Sequence, residues 1–286
     1  MMLVQFDCYK CVFNQVVEMA KQSSTDDRER RQMLKLFIED IIEHADNSTP
    51  PEMAAMFYTR FCEKTGIDDP FAEVKHRSTM LAKELFPELQ EMVGNSSDPF
   101  ETALRTAIGG NVIDFGANPD FKLADAAEKI RETANLPLDE NMLALLREKC
   151  KEAKDIFYIL DNCGEAVIDR LLIDQIGAEK ITLGVRGKPI LNDVTRAELS
   201  DSGLSGLPVI DTGDRAPGVS LKNSSPEFLE KLASADLVIT KGQGNFESLA
   251  DRTGKKVFFL FRVKCPVIRM QTGALPGSLQ IRQGII

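Results

Sequence analysis

The residues best suited to chemistry stand just beyond short apolar runs. Ile156-Phe157-Tyr158-Ile159-Leu160 leads straight into Asp161-Asn162-Cys163-Gly164-Glu165. A buried strand that ends in an adjacent carboxylate and amide and then turns into a helix presents two oxygen ligands at a sheet edge, where α/β proteins bind their ligands. Mg2+ and Mn2+ take such oxygens, typically one or two carboxylates completed by water and phosphate oxygens. Asn162 adds a carbonyl oxygen without further negative charge. The competing reading of the pair is a helix cap, because Asp or Asn ahead of a helix satisfies free backbone N–H groups.

Two further strand ends carry polar clusters. Asn192-Asp193-Val194-Thr195 follows the strand expected over 180–185, so Asp161 and Asp193 stand on neighbouring strand ends and form a potential carboxylate pair. Its alternative is again a cap, for a helix beginning at Thr195. Lys241-Gly242-Gln243-Gly244-Asn245 combines a point charge with a glycine pair ahead of a helix, a pattern that lets backbone N–H groups approach a phosphate. It lacks Walker A spacing and the third glycine of a dinucleotide fingerprint, and its alternative is a plain strand-to-helix turn. Gly109-Gly110-Asn111 and the nearby Asp114 offer polar groups from the side. Cys8 and Cys11 stand one helical turn apart, as a possible half of a thiolate metal site, a redox pair or a core pair.

The bulk properties narrow the chemistry. The 286 residues are 43% hydrophobic and 28% charged, as in an ordinary globular protein with room for two domains. The net charge of −9 disfavours a general nucleic-acid binder, yet leaves a small phosphorylated ligand open, since a local cation overrides the global field. No apolar run approaches the roughly 20 residues that span a bilayer, and Met1 to Ala20 does not read as a secretory signal. A cytoplasmic protein is expected, with its six cysteines as thiols or metal ligands. His44 and His76 are the only histidines, both in charged helical surroundings. A His-rich zinc centre or a His base is therefore not expected.

The elements that position these residues fall into two parts. Residues 1–97 read as helices: an apolar stripe over Asp26 to His44, a capping signal in Thr49-Pro50-Pro51-Glu52, a stop at Gly66, and a helix from Asp69-Pro70 towards Met92 with Pro87 as a kink or break. Residues 98–286 open with a helix over 99–108 and then alternate strands and helices. Strands are predicted at 156–160, 180–185, 208–211, 237–240 and 256–261. Helices are predicted at 166–176, 195–201, 226–233 and 246–251. Continuously apolar strands alternating with helices predict a parallel sheet covered on both faces.

Taken together, Asp161-Asn162-x-Gly-Glu165, Asn192-Asp193-Val194-Thr195 and Asp236-Leu237-Val238-Ile239-x-Lys241-Gly242-x-x-Asn245 resemble the DUF89 family, the ARMT1-like damage-control phosphatases. With Cys8-x-x-Cys11 near its start, the chain is similar to the stand-alone archaeal and bacterial branch. The resemblance implies an α/β fold in which an all-helical N-terminal domain packs on a Rossmann-like three-layer α/β/α domain. It implies a metal-dependent phosphatase of small phosphorylated metabolites, using Mg2+, Mn2+, Co2+ or Ni2+. Carried over residue by residue, Asp161, Asn162 and Asp193 hold the ion and Lys241 lies by the phosphate. Asn111, Asp114, Gly242 and Asn245 complete the phosphate side. The nucleophile is either a water on the ion or Asp161 itself, through an aspartyl-phosphate. Two other classes compete: an S-adenosylmethionine-dependent methyltransferase, and a non-catalytic metabolite-binding or redox protein built on Cys8 and Cys11.

Overall fold

Among the described residues, seven α-helices precede the first strand. The computed structural model describes residues 2–112, 123–250 and 256–285. Within them, α1 (Cys8–Ser23), α2 (Asp27–His44) and α3 (Pro50–Thr65) share an apolar core that buries Val16, Phe37, Met53, Phe57 and Phe61. The Thr49 signal works as expected. Glu52 N donates to Thr49 Oγ1, Thr49 N donates back to Glu52 Oε2 at 2.8 Å, and Gly66 ends the helix at a φ of 71°.

Helix α4 (Ala72–Gly94) runs through Pro87 without a break, where a kink or break is expected. The ring removes one bond to the carbonyl four residues back, but Pro87 and Lys83 are both exposed, so water can take that carbonyl. Helix α5 (Pro99–Gly109) follows with Asp98 as its cap. Helices α6 (Leu123–Ala134) and α7 (Glu140–Glu152) were not foreseen. The signal for α7 was present: Asp139 caps it, and Leu143, Leu146 and Cys150 recur on one buried face.

The sheet contains β1 (Ile156–Ile159), β2 (Ile181–Val185), β3 (Val209–Asp211), β4 (Leu237–Lys241), β5 (Lys256–Arg262) and β6 (Leu279–Ile285), in the spatial order β3-β2-β1-β4-β5-β6. The five predicted strands appear within one residue at each end and run parallel, whereas β6 was not predicted and pairs antiparallel with β5. Helices α8 (Cys163–Ile176), α9 (Pro226–Ser234), α10 (Gln243–Leu249) and α11 (Pro266–Thr272) lie between the strands. The helix expected at 195–201 is a single 3-10 turn, Arg196–Glu198.

Alternation along β1 shows why its residues are all apolar. Ile156 and Tyr158 pack with α4, α5 and α8 on one face, while Phe157 and Ile159 meet Phe228, Leu232 and Phe259 on the other. Helix α8 lies close against α4: a Cβ on Gly164 would sit 2.8 Å from the Ser78 carbonyl oxygen. Buried Lys75 on α4 donates to Asp69 at 2.8 Å and to Glu198 at 3.0 Å, tying the helices to the segment after β2. No described helix is long and apolar enough to cross a membrane.

The neighbouring strands β1 and β4 leave the order 3-2-1-4-5 in opposite lateral directions. This reversal opens a crevice at their carboxyl ends, the general ligand position of open α/β sheets. Asp161 and Gly242 both border it. Replacing Gly164 by Ala should force α4 and α8 apart and destabilise the fold by about 1–3 kcal/mol, seen as a lower urea midpoint with an unchanged slope.

Candidate active site

The backbone around the crevice brings two distant clusters together. After β2 the chain folds back so that Asn162 and Asp193 form an antiparallel bridge. Val194 N donates to Asp161 O, and Cys163 N to Asn192 O, both at 2.9 Å. Asn162 precedes α8, but its side chain makes no capping bond. Neither does Asp193 cap the following turn. Thr195 does that itself, in a capping box with Glu198. Both competing cap readings are therefore set aside, and the side chains of Asp161, Asn162 and Asp193 border one cavity of about 320 Å3.

Beneath this rim lies a buried polar network. Asn111 Nδ2 donates to Asp161 Oδ2 at 3.2 Å and also to Glu165 Oε2. Glu165 and Asp169, one turn apart on α8, both accept from Lys241 Nζ, which also donates to the Ala107 carbonyl at 3.0 Å. Tyr158 donates to Asp169 at 3.0 Å. Lys241 has no exposed surface and does not border the cavity. This corrects its expected place beside a phosphate. It occupies an odd position of β4 with Leu237 and Ile239, so the pleat sends it into the helical layer. Burial alone would lower its ammonium; the Asp169 and Glu165 charges more than reverse that and raise it.

A second buried cation went unrecognised in the sequence. Arg186 follows β2 directly and is 1% exposed. Its Nε donates to Asp193 Oδ2 at 2.7 Å, and its Nη2 lies 3.6 Å from Asp161 Oδ1. Asn245 accepts from Arg186 Nη1 at 3.1 Å and donates to the Lys241 carbonyl at 2.7 Å. Asn245 is thus fully buried behind the site and holds Arg186; it does not face the cavity as expected. Gly242, at a φ of 81°, has a different reason from phosphate contact. A Cβ there would sit 1.9 Å from Asp161 Oδ2, so only glycine admits the carboxylate.

The electrostatics are unbalanced. Asp161, Asp193, Glu165 and Asp169 face two cations, Arg186 and Lys241. Fully ionised, the constellation keeps two negative charges. Burial, then the Asp193 and Glu165 charges, push the Asp161 carboxyl well above its ordinary range. Burial likewise raises Asp193, against the lowering by Arg186, and carries Asp169 up to about 7.

The outer wall of the cavity comes from α1, α3 and the segment after β5. Cys8 and Cys11 open onto it, together with Cys265, Lys264, Gln243 and Glu247, none of which was singled out in the sequence apart from the Cys pair. The three cysteines are free thiols, and burial raises Cys8. Among the described residues, no group of three or more His, Cys, Asp and Glu side chains could hold a metal by itself. Asp114 lies outside the described residues.

The damage-control phosphatase ARMT1-like domain matches residues 4–279. The chain belongs to that family. It is 36% identical to a damage-control phosphatase of Pyrococcus horikoshii, over 97% of each chain. It is 30% identical to a damage-control phosphatase of Archaeoglobus fulgidus, over 95% of this chain and 96% of that one. A crystal structure of a DUF89 family protein from Pyrococcus horikoshii superposes with a TM-score of 0.90 at 32% identity, covering 99% of this chain and 100% of that one. The family and the α/β fold expected from the three motifs are those found. Gly242→Ala should displace the Asp161 carboxylate and destabilise the protein by about 1–3 kcal/mol. Gly206→Ala, where a Cβ meets nothing within 4 Å, should change the stability measured by urea denaturation by less than about 0.5 kcal/mol.

Proposed function

We propose that this chain is a divalent-metal-dependent phosphatase that hydrolyses phosphomonoesters of small metabolites, sugar phosphates or damaged phosphometabolites among them. The observation that carries the reading is the charge imbalance: four buried carboxylates around two cations suit a divalent ion at the rim. The donor set fits Mg2+, Mn2+, Co2+ or Ni2+, with Asp161, Asn162 and Asp193 as the holding residues, all of them oxygen donors. Such an ion polarises a phosphoryl oxygen and offsets developing charge.

The chain's own groups do the rest. Arg186 fixes the Asp193 carboxylate, and Asn111 fixes that of Asp161, so both point at the cavity without reorganising. Lys241 acts from below, holding Glu165 and Asp169 in place. The phosphate-facing cation on this reading is Lys264, which borders the cavity and whose charge bears on Asp161. A cavity of about 320 Å3 suits a small substrate. The relatives that bear the name damage-control phosphatase support the reaction class. A methyltransferase would want a glycine-rich turn after β1, where this chain has Asp161-Asn162-Cys163-Gly164.

A panel of sugar phosphates and phosphorylated cofactors, each with Mg2+, Mn2+, Co2+ and Ni2+, tests the reading. Asp193→Asn is a cleaner probe than Ala, which would leave the buried Arg186 guanidinium without its nearest partner. The expected result is a loss of at least about 100-fold in turnover with the fold retained by circular dichroism. Full activity would remove Asp193 from the site.

The raised carboxyls give a pH test. A carboxyl whose folded value is raised contributes stability below its ordinary value and loses it as pH rises through the folded one, here about 7 for Asp169. The metal-free protein should therefore melt lower at pH 8 than at pH 6. Mn2+ should raise the melting temperature more at pH 8, where it no longer competes with protons.

A further inference from the structure

An alkyl ester oxygen leaves phosphorus with a full negative charge unless a proton reaches it. Neither histidine borders the cavity, and Lys241 and Arg186 are buried beneath it. Two carboxyls in the cavity wall stand apart from the buried charge network: Asp7, which is exposed, and Glu247, which is held by a neighbouring amide. Glu247 lies on α10, one turn beyond Gln243, whose Nε2 donates to Glu247 Oε1 at 2.7 Å. Gln243 is itself fixed, because its Oε1 accepts from Lys264 N at 3.0 Å and its Nε2 approaches Cys265 Sγ at 3.5 Å. With Oε1 taken by a donor, Oε2 is the oxygen that can carry a proton.

We propose that Glu247 is the general acid of this site, giving its proton to the ester oxygen as the P–O bond breaks. The proposal rests on the phosphatase reading and names a residue to which neither the sequence motifs nor the metal-holding set assigns a role. Over a turnover, the electron pair of the broken P–O bond leaves on the ester oxygen, which takes the Glu247 proton and departs as an alcohol. The oxygen of water bonds to phosphorus. The dihydrogen phosphate so formed returns one proton to Glu247 and leaves as hydrogen phosphate.

The surroundings suit a group that holds its proton near neutrality. Cys8 and Cys11 face it from α1, with Asp7 just ahead of that helix. Cys265 and Lys264 face it from the segment after β5, and Asp161 and Asp193 lie across the same cavity. Burial pushes the carboxyl up to about 7, against the lowering by the Gln243 bond and by Lys264. The acid form is present below that value and is lost as pH rises through it.

The test compares two esters on the same Mn2+-loaded preparation: glycerol 2-phosphate, whose alkoxide needs a proton, and p-nitrophenyl phosphate, whose phenolate leaves without one. Glu247→Gln should cut kcat on glycerol 2-phosphate by about 100-fold or more and leave p-nitrophenyl phosphate within about threefold. Glu247→Asp should restore part of the lost activity. The unaltered protein should lose activity on glycerol 2-phosphate as pH rises through about 7, and Glu247→Gln should lack that limb. Because both esters are read on one preparation, their ratio does not depend on the folded fraction. Equal losses on the two esters, or no loss on either, would overturn the role of Glu247 while leaving the phosphatase reading intact. An unaltered protein that hydrolyses neither these esters nor any member of the phosphate panel would overturn the reading itself, and the general acid with it.

Discussion

Two buried cations hold the carboxylates of this protein in place, and the rest of the site depends on them. Lys241 binds Glu165 and Asp169 beneath the crevice, and Arg186 binds Asp193 beside it. Unpaired carboxylates in such a position would cost several kcal/mol each. Paired, they remain buried and aligned, but they outnumber their partners. The remainder is a local negative charge focused at the mouth of a cavity. On the proposed reading, that excess is what a divalent cation would offset at the rim, and through it an anionic substrate would be held.

The fold supplies the frame for this arrangement by ordinary means. The reversal between β1 and β4 leaves a crevice, the return of the chain after β2 lays Asp193 against Asn162, and Gly242 clears the space that Asp161 fills. Helix α8 contributes Glu165 and Asp169 from one face, while α5 contributes the Ala107 carbonyl and leads into Asn111. The helical part closes the cavity with α1 and α3, so the groups that would meet the body of a substrate come from elements remote in sequence from the groups that would meet its phosphate.

The helical start, the five parallel strands and the polar clusters at their ends were legible because each is a local pattern. Apolar runs bounded by Gly, Asn and Asp mark buried strands, and the Thr49 box marks a helix start. What went unread was of two kinds. Helices α6 and α7 went unread although α7 carries an Asp139 cap and an apolar face, whereas β6 draws its stability from pairing with β5. Arg186, Lys264 and Glu247 look like ordinary charged residues beside turns, and nothing local distinguishes them from solvated ones.

The sequence by itself determined that oxygen-bearing side chains follow the strands, and the order in which Asp161, Asn162 and Asp193 occur along a recognisable family pattern. Only the tertiary structure decided the direction of each side chain. Lys241 shows the reason most plainly. Its type and its place before a glycine turn suggest a phosphate contact, but the pleat of β4 turns it to the side of Leu237 and Ile239, where two carboxylates of α8 are waiting. Whether a charge meets solvent, substrate or another buried charge depends on which elements pack above it, and that is set by contacts between residues far apart in the chain.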